Sequence, residues 1–216
     1  MSTPRPDGLL VDILDPATTA VVTVECQGAV VGQGAALPAV ADAARSEAIP
    51  NLARLLPVAR EAGVHVVHCL FERRADGRGG NVNARLFAVT AALGTDMTPG
   101  SPGASLIPEL GPDPDDLVLT RSHGVGPMGG TDLDPVLRNL GVRTVVATGV
   151  SVNVAITSLV MDAVNAGYRV VVPRDAVAGV PADYAEAVIA NTYGVLATVT
   201  TTDALVGVWS CGGGSG

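Results

Sequence analysis

Aromatic side chains are scarce in this 216-residue chain, which has one Trp, three Tyr and two Phe, so aliphatic Val, Ala and Leu must fill its core. Charge is scarce as well, at 16% of residues against 48% hydrophobic, a balance that suits a sheet buried on both faces. The 13 basic residues are outnumbered by 21 acidic ones, for a net charge of −8. Phosphate backbones are held by clustered Lys and Arg, so no nucleic-acid partner is expected. No apolar run approaches the ~20 residues of a membrane span, so no membrane partner is expected either. The three cysteines, Cys26, Cys69 and Cys211, cannot all pair, and none has metal-ligand spacing. A reduced, cytoplasmic protein with no metal and no cofactor is the reading. The opening MSTPRPDGLLVDILDP lacks the basic start and long apolar centre of a signal peptide and reads as an N-terminal arm over 1–18. One domain over 19–210 follows, then a flexible Gly/Ser tail over 211–216.

Six apolar, β-branched runs recur along the chain: Ala20–Glu25, Val64–Leu70, Asp116–Thr120, Thr144–Thr148, Arg169–Val172 and Ala197–Thr201. Segments of helical spacing separate them, at Ser46–Ala62, Val82–Ala92, Asp132–Leu140, Val152–Ala166 and Ala182–Thr192, and most end at a glycine. Pro50 fits a first helical turn, whereas Pro57 should kink or break its helix. Strand, helix, glycine, strand implies βαβ crossovers, hence a three-layer α/β/α, Rossmann-like fold with a mostly parallel six-stranded sheet. The stretch from Arg73 to Pro114 is the least regular, and long loops of this kind are usually covers or oligomer contacts.

Ligands of such sheets bind beyond the carboxyl ends of the strands. That rule gathers Glu25–Gln27, His68–Glu72, Arg121–Gly126, Gly149–Ala155 and Pro173–Asp175 into one neighbourhood. Glu25 ends a wholly apolar strand, where a charge needs a reason; it is a candidate general acid or base, or else an acceptor for loop amides. Arg121 and His123 precede a glycine-rich stretch and can neutralise a carboxylate or oxyanion, or belong to a solvated lid. Ser151 and Asn153 open the helix after Gly149 and are helix caps or substrate contacts. His68 lies late on the second strand and is a candidate pocket residue. Cys26 should point into packing on the opposite face from Glu25, and Cys69 either borders the pocket or lies in the core. The first turn of that helix holds no cysteine.

Read together, AVVTVECQGAVVG, GTDLDPVLRNLGV, VVATGVSVNVAITSLVMDAVNAGYRVVVPRDAVAG and the stretch Ala182–Leu205 resemble the isochorismatase-like hydrolases. This superfamily includes nicotinamidases, N-carbamoylsarcosine amidases and isochorismatases. The resemblance implies a small-molecule hydrolase that forms a homo-oligomer. It puts Glu25 at the position of the catalytic Asp, Ser122 at that of the Lys (with Arg121 beside it as a stand-in), and Ala155 at that of the nucleophilic Cys. It further implies an oxyanion hole at the amides of Ser151 and Ala155, with a non-proline cis peptide near Val150–Ser151. Since alanine cannot form a thioester, ordinary cysteine-dependent amide hydrolysis is disfavoured. Three readings follow: a hydrolase with Glu25 as acid or base and Arg121 and His123 holding an anionic substrate; a non-catalytic binding or assembly protein; or a nucleophile relocated to Cys26 or Cys69.

Overall fold

In the structure, a computed structural model, residues 6–212 are described. The start of the expected arm (residues 1–5) and most of the Gly/Ser tail (213–216) lie outside the described residues. Helix α1 (Pro6–Ile13) leads into strand β1 (Thr19–Val24), and short helices α2 (Gly28–Val31) and α3 (Pro38–Ala43) follow. A wide π turn, Ala44–Ala48, joins α3 to α4 (Ile49–Glu61), and then come β2 (His65–Phe71), α5 (Arg85–Ala92) and β3 (Leu117–Arg121). After α6 (Leu133–Asn139) and β4 (Thr144–Val150), a second π turn, Val152–Ile156, opens α7 (Thr157–Asn165). The chain continues through β5 (Arg169–Pro173), β6 (Val177–Ala178), α8 (Ala182–Val188), α9 (Gly194–Leu196), β7 (Thr198–Thr200) and α10 (Thr202–Gly212).

The strands form one parallel sheet in the order β3-β2-β1-β4-β5-β7, with β6 pairing the end of β4. The sheet therefore has seven strands rather than the expected six. The additional one, Val177–Ala178, is two residues long and pairs with Gly149 and Val150, too short to leave a pattern in sequence. Pro57 lies inside α4, which continues to Glu61, so of the expected kink or break the break does not occur. Leu52, Leu55, Leu56 and Ala59, each fully buried, hold that helix on the sheet from either side of the proline.

Alternation along β1 divides the core in two. Ala20, Val22 and Val24 face Leu133, Leu137, Ile156, Leu159 and Val160 of the α6–α7 layer. Val21 faces α4 together with Leu14, Leu205 and Trp209. Every residue of β1 and β4 is buried, which explains why both read as unbroken apolar runs. The Trp209 indole N–H donates to the Leu14 carbonyl at 3.1 Å, tying α10 to the segment that precedes β1.

Candidate active site

The central strands end together. Glu25 follows β1 in a left-handed conformation (φ 54°), with its backbone N–H donating to the Cys69 carbonyl at 2.9 Å. A non-glycine residue rarely takes that conformation, which costs about 1–2 kcal/mol. Beside it, Gly149 has φ 100°, and a Cβ there would fall 2.4 Å from the Val24 carbonyl oxygen. Only glycine lets the ends of β1 and β4 run this close. The peptide bond between Val150 and Ser151 is cis.

A hollow of about 120 Å³ opens above these ends. Glu25, Phe71, Arg121, Val150, Ser151, Val154 and Ala155 line its floor and near wall, while Arg73, Leu86, Phe87, Thr90 and Met97 come from the irregular stretch after β2. Glu25 and the turn after Gly149 thus share one cavity. Within the lining the polar side chains are Glu25, Arg73, Thr90, Arg121 and Ser151; the rest are apolar.

Arg121 is the centre of the polar part. Its side chain is only 4% exposed and pairs through Nη2 with Oε1 of Glu25, which is 22% exposed. Its Nε donates to the Gly126 carbonyl at 3.0 Å, and its guanidinium carbon lies 5.2 Å from the centre of the Phe71 ring. Its Nη1 is buried with no hydrogen-bond partner among the described residues. A buried guanidinium nitrogen left without an acceptor costs free energy unless a ligand supplies one.

The remaining expected residues are placed differently. His68 is fully buried outside the hollow, between Thr23 Oγ1 (2.7 Å from Nδ1) and Asp116 Oδ2 (3.0 Å from Nε2), and borders a separate depression on the other face of β2. Register explains this, since Thr23 and His68 are direct partners across β1 and β2. Ser122 and His123 are exposed and do not line the hollow; β3 ends at Arg121, and the side chain of that residue turns in instead. Asn153 also lies outside the lining, with its Oδ1 buried near Gly179 and unpartnered. Ser151 reaches the cavity but makes no side-chain cap to the following helix, so the capping expectation fails. Pro173–Asp175 is not part of the cavity; Asp175 instead accepts from the N–H and hydroxyl of Thr202 at the start of α10.

Cys26 and Cys69 are buried in the two halves of the core. Burial pushes the Cys26 thiol up to about 12, with the Glu25 charge adding to it, and burial likewise pushes Cys69 up to about 12. Neither thiol is a ready nucleophile. The chain contains no lysine at all, and the cations lining the hollow are Arg73 and Arg121.

Sequence reading put Gln27 and Phe71 among the strand ends without a role and did not include Arg73. Gln27 is fully buried and acts as an extra rung of the sheet, accepting from the Phe71 N–H at 2.7 Å and donating back to the Phe71 carbonyl. Phe71 and Arg73 form the wall beside Arg121; they follow His68 by only a few residues, but β2 extends to Phe71, one residue beyond the expected end. No group of three or more His, Cys, Asp or Glu capable of holding a metal occurs among the described residues, and no described helix is long and apolar enough to cross a membrane.

Comparison with known proteins agrees with this architecture. The chain is 28% identical over 213 residues to the ureidoacrylate amidohydrolase RutB of Agrobacterium fabrum, covering 91% of this chain and 92% of that one. It is 31% identical over 134 residues to the maleamate amidohydrolase of Pseudomonas putida, covering 60% and 59% of the two chains. The crystal structure of a cysteine hydrolase from Pseudomonas syringae pv. phaseolicola shares the fold with a TM-score of 0.80 at 24% identity, over 98% of this chain and 100% of that one. Residues 19–204 match the isochorismatase domain, and with that span, most of its length, the chain belongs to the isochorismatase-like hydrolase family.

Proposed function

We propose that this protein hydrolyses a small anionic substrate without a covalent cysteine intermediate, with Glu25 as general base and then general acid. The supporting observation is the Arg121–Glu25 pair on the floor of the hollow, with the Arg121 Nη1 left without a protein acceptor. By resemblance Ala155 stands at the nucleophile position, and both core thiols are buried, so the attacking group in this reading is water. Glu25 takes a proton from that water as its oxygen adds to the substrate carbonyl carbon. The same carboxyl then returns the proton to the leaving nitrogen as the carbon–nitrogen bond breaks. The guanidinium of Arg121 and the amides of the turn at Ser151 and Ala155 face the oxygen that gains negative charge. Relatives named for ureidoacrylate and maleamate make small anionic ureides and amides the first compounds to try.

Turnover of a panel of such compounds, neutral amides and isochorismate tests the reading. Glu25→Gln should abolish turnover while the melting temperature stays within a few degrees; unchanged turnover removes the mechanism. The second reading, a non-catalytic binding protein, is favoured by one observation: the chain has no lysine, so the family's catalytic lysine is missing wherever its position falls, and by resemblance Glu25, Ser122 and Ala155 stand at the three catalytic positions. Binding without turnover across the panel would select it. We further infer a homo-oligomer, since α5 leaves Leu86 and Val89 exposed and has no buried residue; a monomer by light scattering would exclude it.

A further inference from the structure

The hollow carries one more positive charge than its own residues neutralise. Glu25 is matched by Arg121. Arg73 also lines the cavity and has no carboxylate partner among the described residues, its one side-chain hydrogen bond being Nη2 to the Thr90 hydroxyl at 3.3 Å. The side chain is half-buried in a chain whose net charge is −8, where acidic partners are plentiful elsewhere: Arg45, Arg54, Arg60, Arg74, Arg138 and Arg174 each hold one. The nearest acidic residue in sequence, Glu72, lines a different depression together with His68 and Leu70.

Arg73 and Arg121 flank one ring. Their guanidinium carbons lie 6.0 Å and 5.2 Å from the centre of Phe71, so the two cations are separated by no more than the sum of those distances. Apart from Glu25, Thr90 and Ser151, the rest of the lining is apolar. We propose that Arg73, with the Thr90 hydroxyl, is the receptor for the substrate's carboxylate and sets specificity for short monoanions. The reacting carbonyl then lies at the other end of the hollow, over Glu25 and Arg121. A guanidinium binds a carboxylate with two parallel hydrogen bonds, and the single surplus charge matches one anionic group rather than two. The inference deepens the hydrolase reading: Arg121 is committed to Glu25, and Arg73 takes the role of anion holder first assigned to Arg121 and His123.

Calorimetry with two matched probes tests it on the whole chain: succinamate, a monoanion with a terminal amide, and succinamide, its uncharged isostere. Wild-type protein should bind succinamate about ten- to a hundredfold more tightly. Arg73→Gln should bring the two affinities together, and Arg73→Lys should restore part of the preference, which a folding defect would not do. Equal affinities in the wild type, no measurable binding of succinamate at 10 mM, or a preference that survives Arg73→Gln would each overturn the proposal. The Glu25→Gln protein separates this from the catalytic reading. Preserved charge preference with no turnover by any form of the protein sinks the hydrolase mechanism and leaves the anion receptor standing; turnover lost in Glu25→Gln without charge preference does the reverse.

Discussion

Two arginine–carboxylate pairs lie at opposite ends of β3, Asp116 just before it and Arg121 closing it, and they have opposite characters. In the first, Arg60 of α4 pairs with Asp116 at 2.6 Å and also donates through Nε to the other carboxylate oxygen at 3.1 Å. His68 closes the second side of that carboxylate, and Thr23 closes the far side of His68. In the second pair, Arg121 holds Glu25 but leaves Nη1 without an acceptor, and the carboxylate faces a cavity. The first network is a closed circuit whose polar atoms satisfy one another, and such circuits hold a core in one arrangement. The second is an open circuit that a ligand completes. Both contain the residue types usually associated with catalysis, so the residue list alone does not separate them; satisfaction of their hydrogen bonds does.

Charge removal at each pair should therefore read out in different experiments. Glu25→Gln should lower kcat by about 10²–10⁴-fold, the usual contribution of a positioned acid–base group, with little change in melting temperature. Asp116→Asn should do the opposite. It leaves Arg60 and His68 around a neutral amide, and breaking a buried pair costs about 3 kcal/mol, or roughly 6–12 °C in melting temperature for a chain of this size. Turnover at room temperature should stay within a few-fold of wild type. If Asp116→Asn abolishes turnover in a folded protein, or Glu25→Gln melts as early as Asp116→Asn, the distinction between the two circuits fails.

Acid should act on the closed circuit first. Burial lowers His68 below its ordinary 6.5, an effect that the bond and charge of Asp116 only partly offset. In the unfolded chain His68 regains its usual affinity for a proton, so below about pH 6.5 the unfolded state binds more protons and stability falls. Asp116 adds a second loss at lower pH. Burial alone would raise its carboxyl, but bonds from Arg60 and His68 outweigh burial and hold it below 3.8, a stabilisation lost as pH falls through that range. Stability should decline from pH 7 to pH 5, by at most about 1.4 kcal/mol per pH unit for the one proton of His68, and the melting temperature should fall with it. His68→Gln should flatten that slope between pH 7 and 5, and a slope unchanged in the variant would assign the acid sensitivity elsewhere.

The open circuit was the more legible of the two from sequence. A carboxylate ending an apolar strand and an arginine ending another are visible in AVVTVE and LVLTR, and the strand-end rule brings them together. Gly149 was legible for a similar reason, as a glycine closing a buried strand before a helix. His68 misled because its position late in β2 says how near the strand end it lies, whereas its role depends on which face the side chain takes and on the register with Thr23. Arg73 was illegible because Glu72, Arg73 and Arg74 are consecutive charged residues beyond β2, and no periodicity says which one turns inward. Helices α2 and α3, four and six residues long, lie before Ser46, where the first helical segment read from the sequence begins; they are too short to show a helical period. The fold was recoverable because hydrophobic alternation specifies layers; the polar site was only half recoverable because hydrogen-bond partners are chosen in three dimensions.

His123 supplies the smallest effect and the most discriminating control. It follows Arg121 by two residues, so a sequence argument gives the two a shared task. In the structure His123 is exposed and packs its Cε1 near Gly130 within the glycine-rich loop, outside the cavity that Arg121 enters. An exposed imidazole with no buried partner contributes little to either stability or transition-state binding. His123→Ala should change kcat/KM by less than about twofold and leave the melting temperature within experimental error. A larger loss in kcat/KM, with KM rising and kcat unchanged, would mean that the loop closes over bound substrate and brings His123 onto the anion. The open circuit would then extend beyond the floor of the hollow, and its anion would be shared between the loop and Arg73.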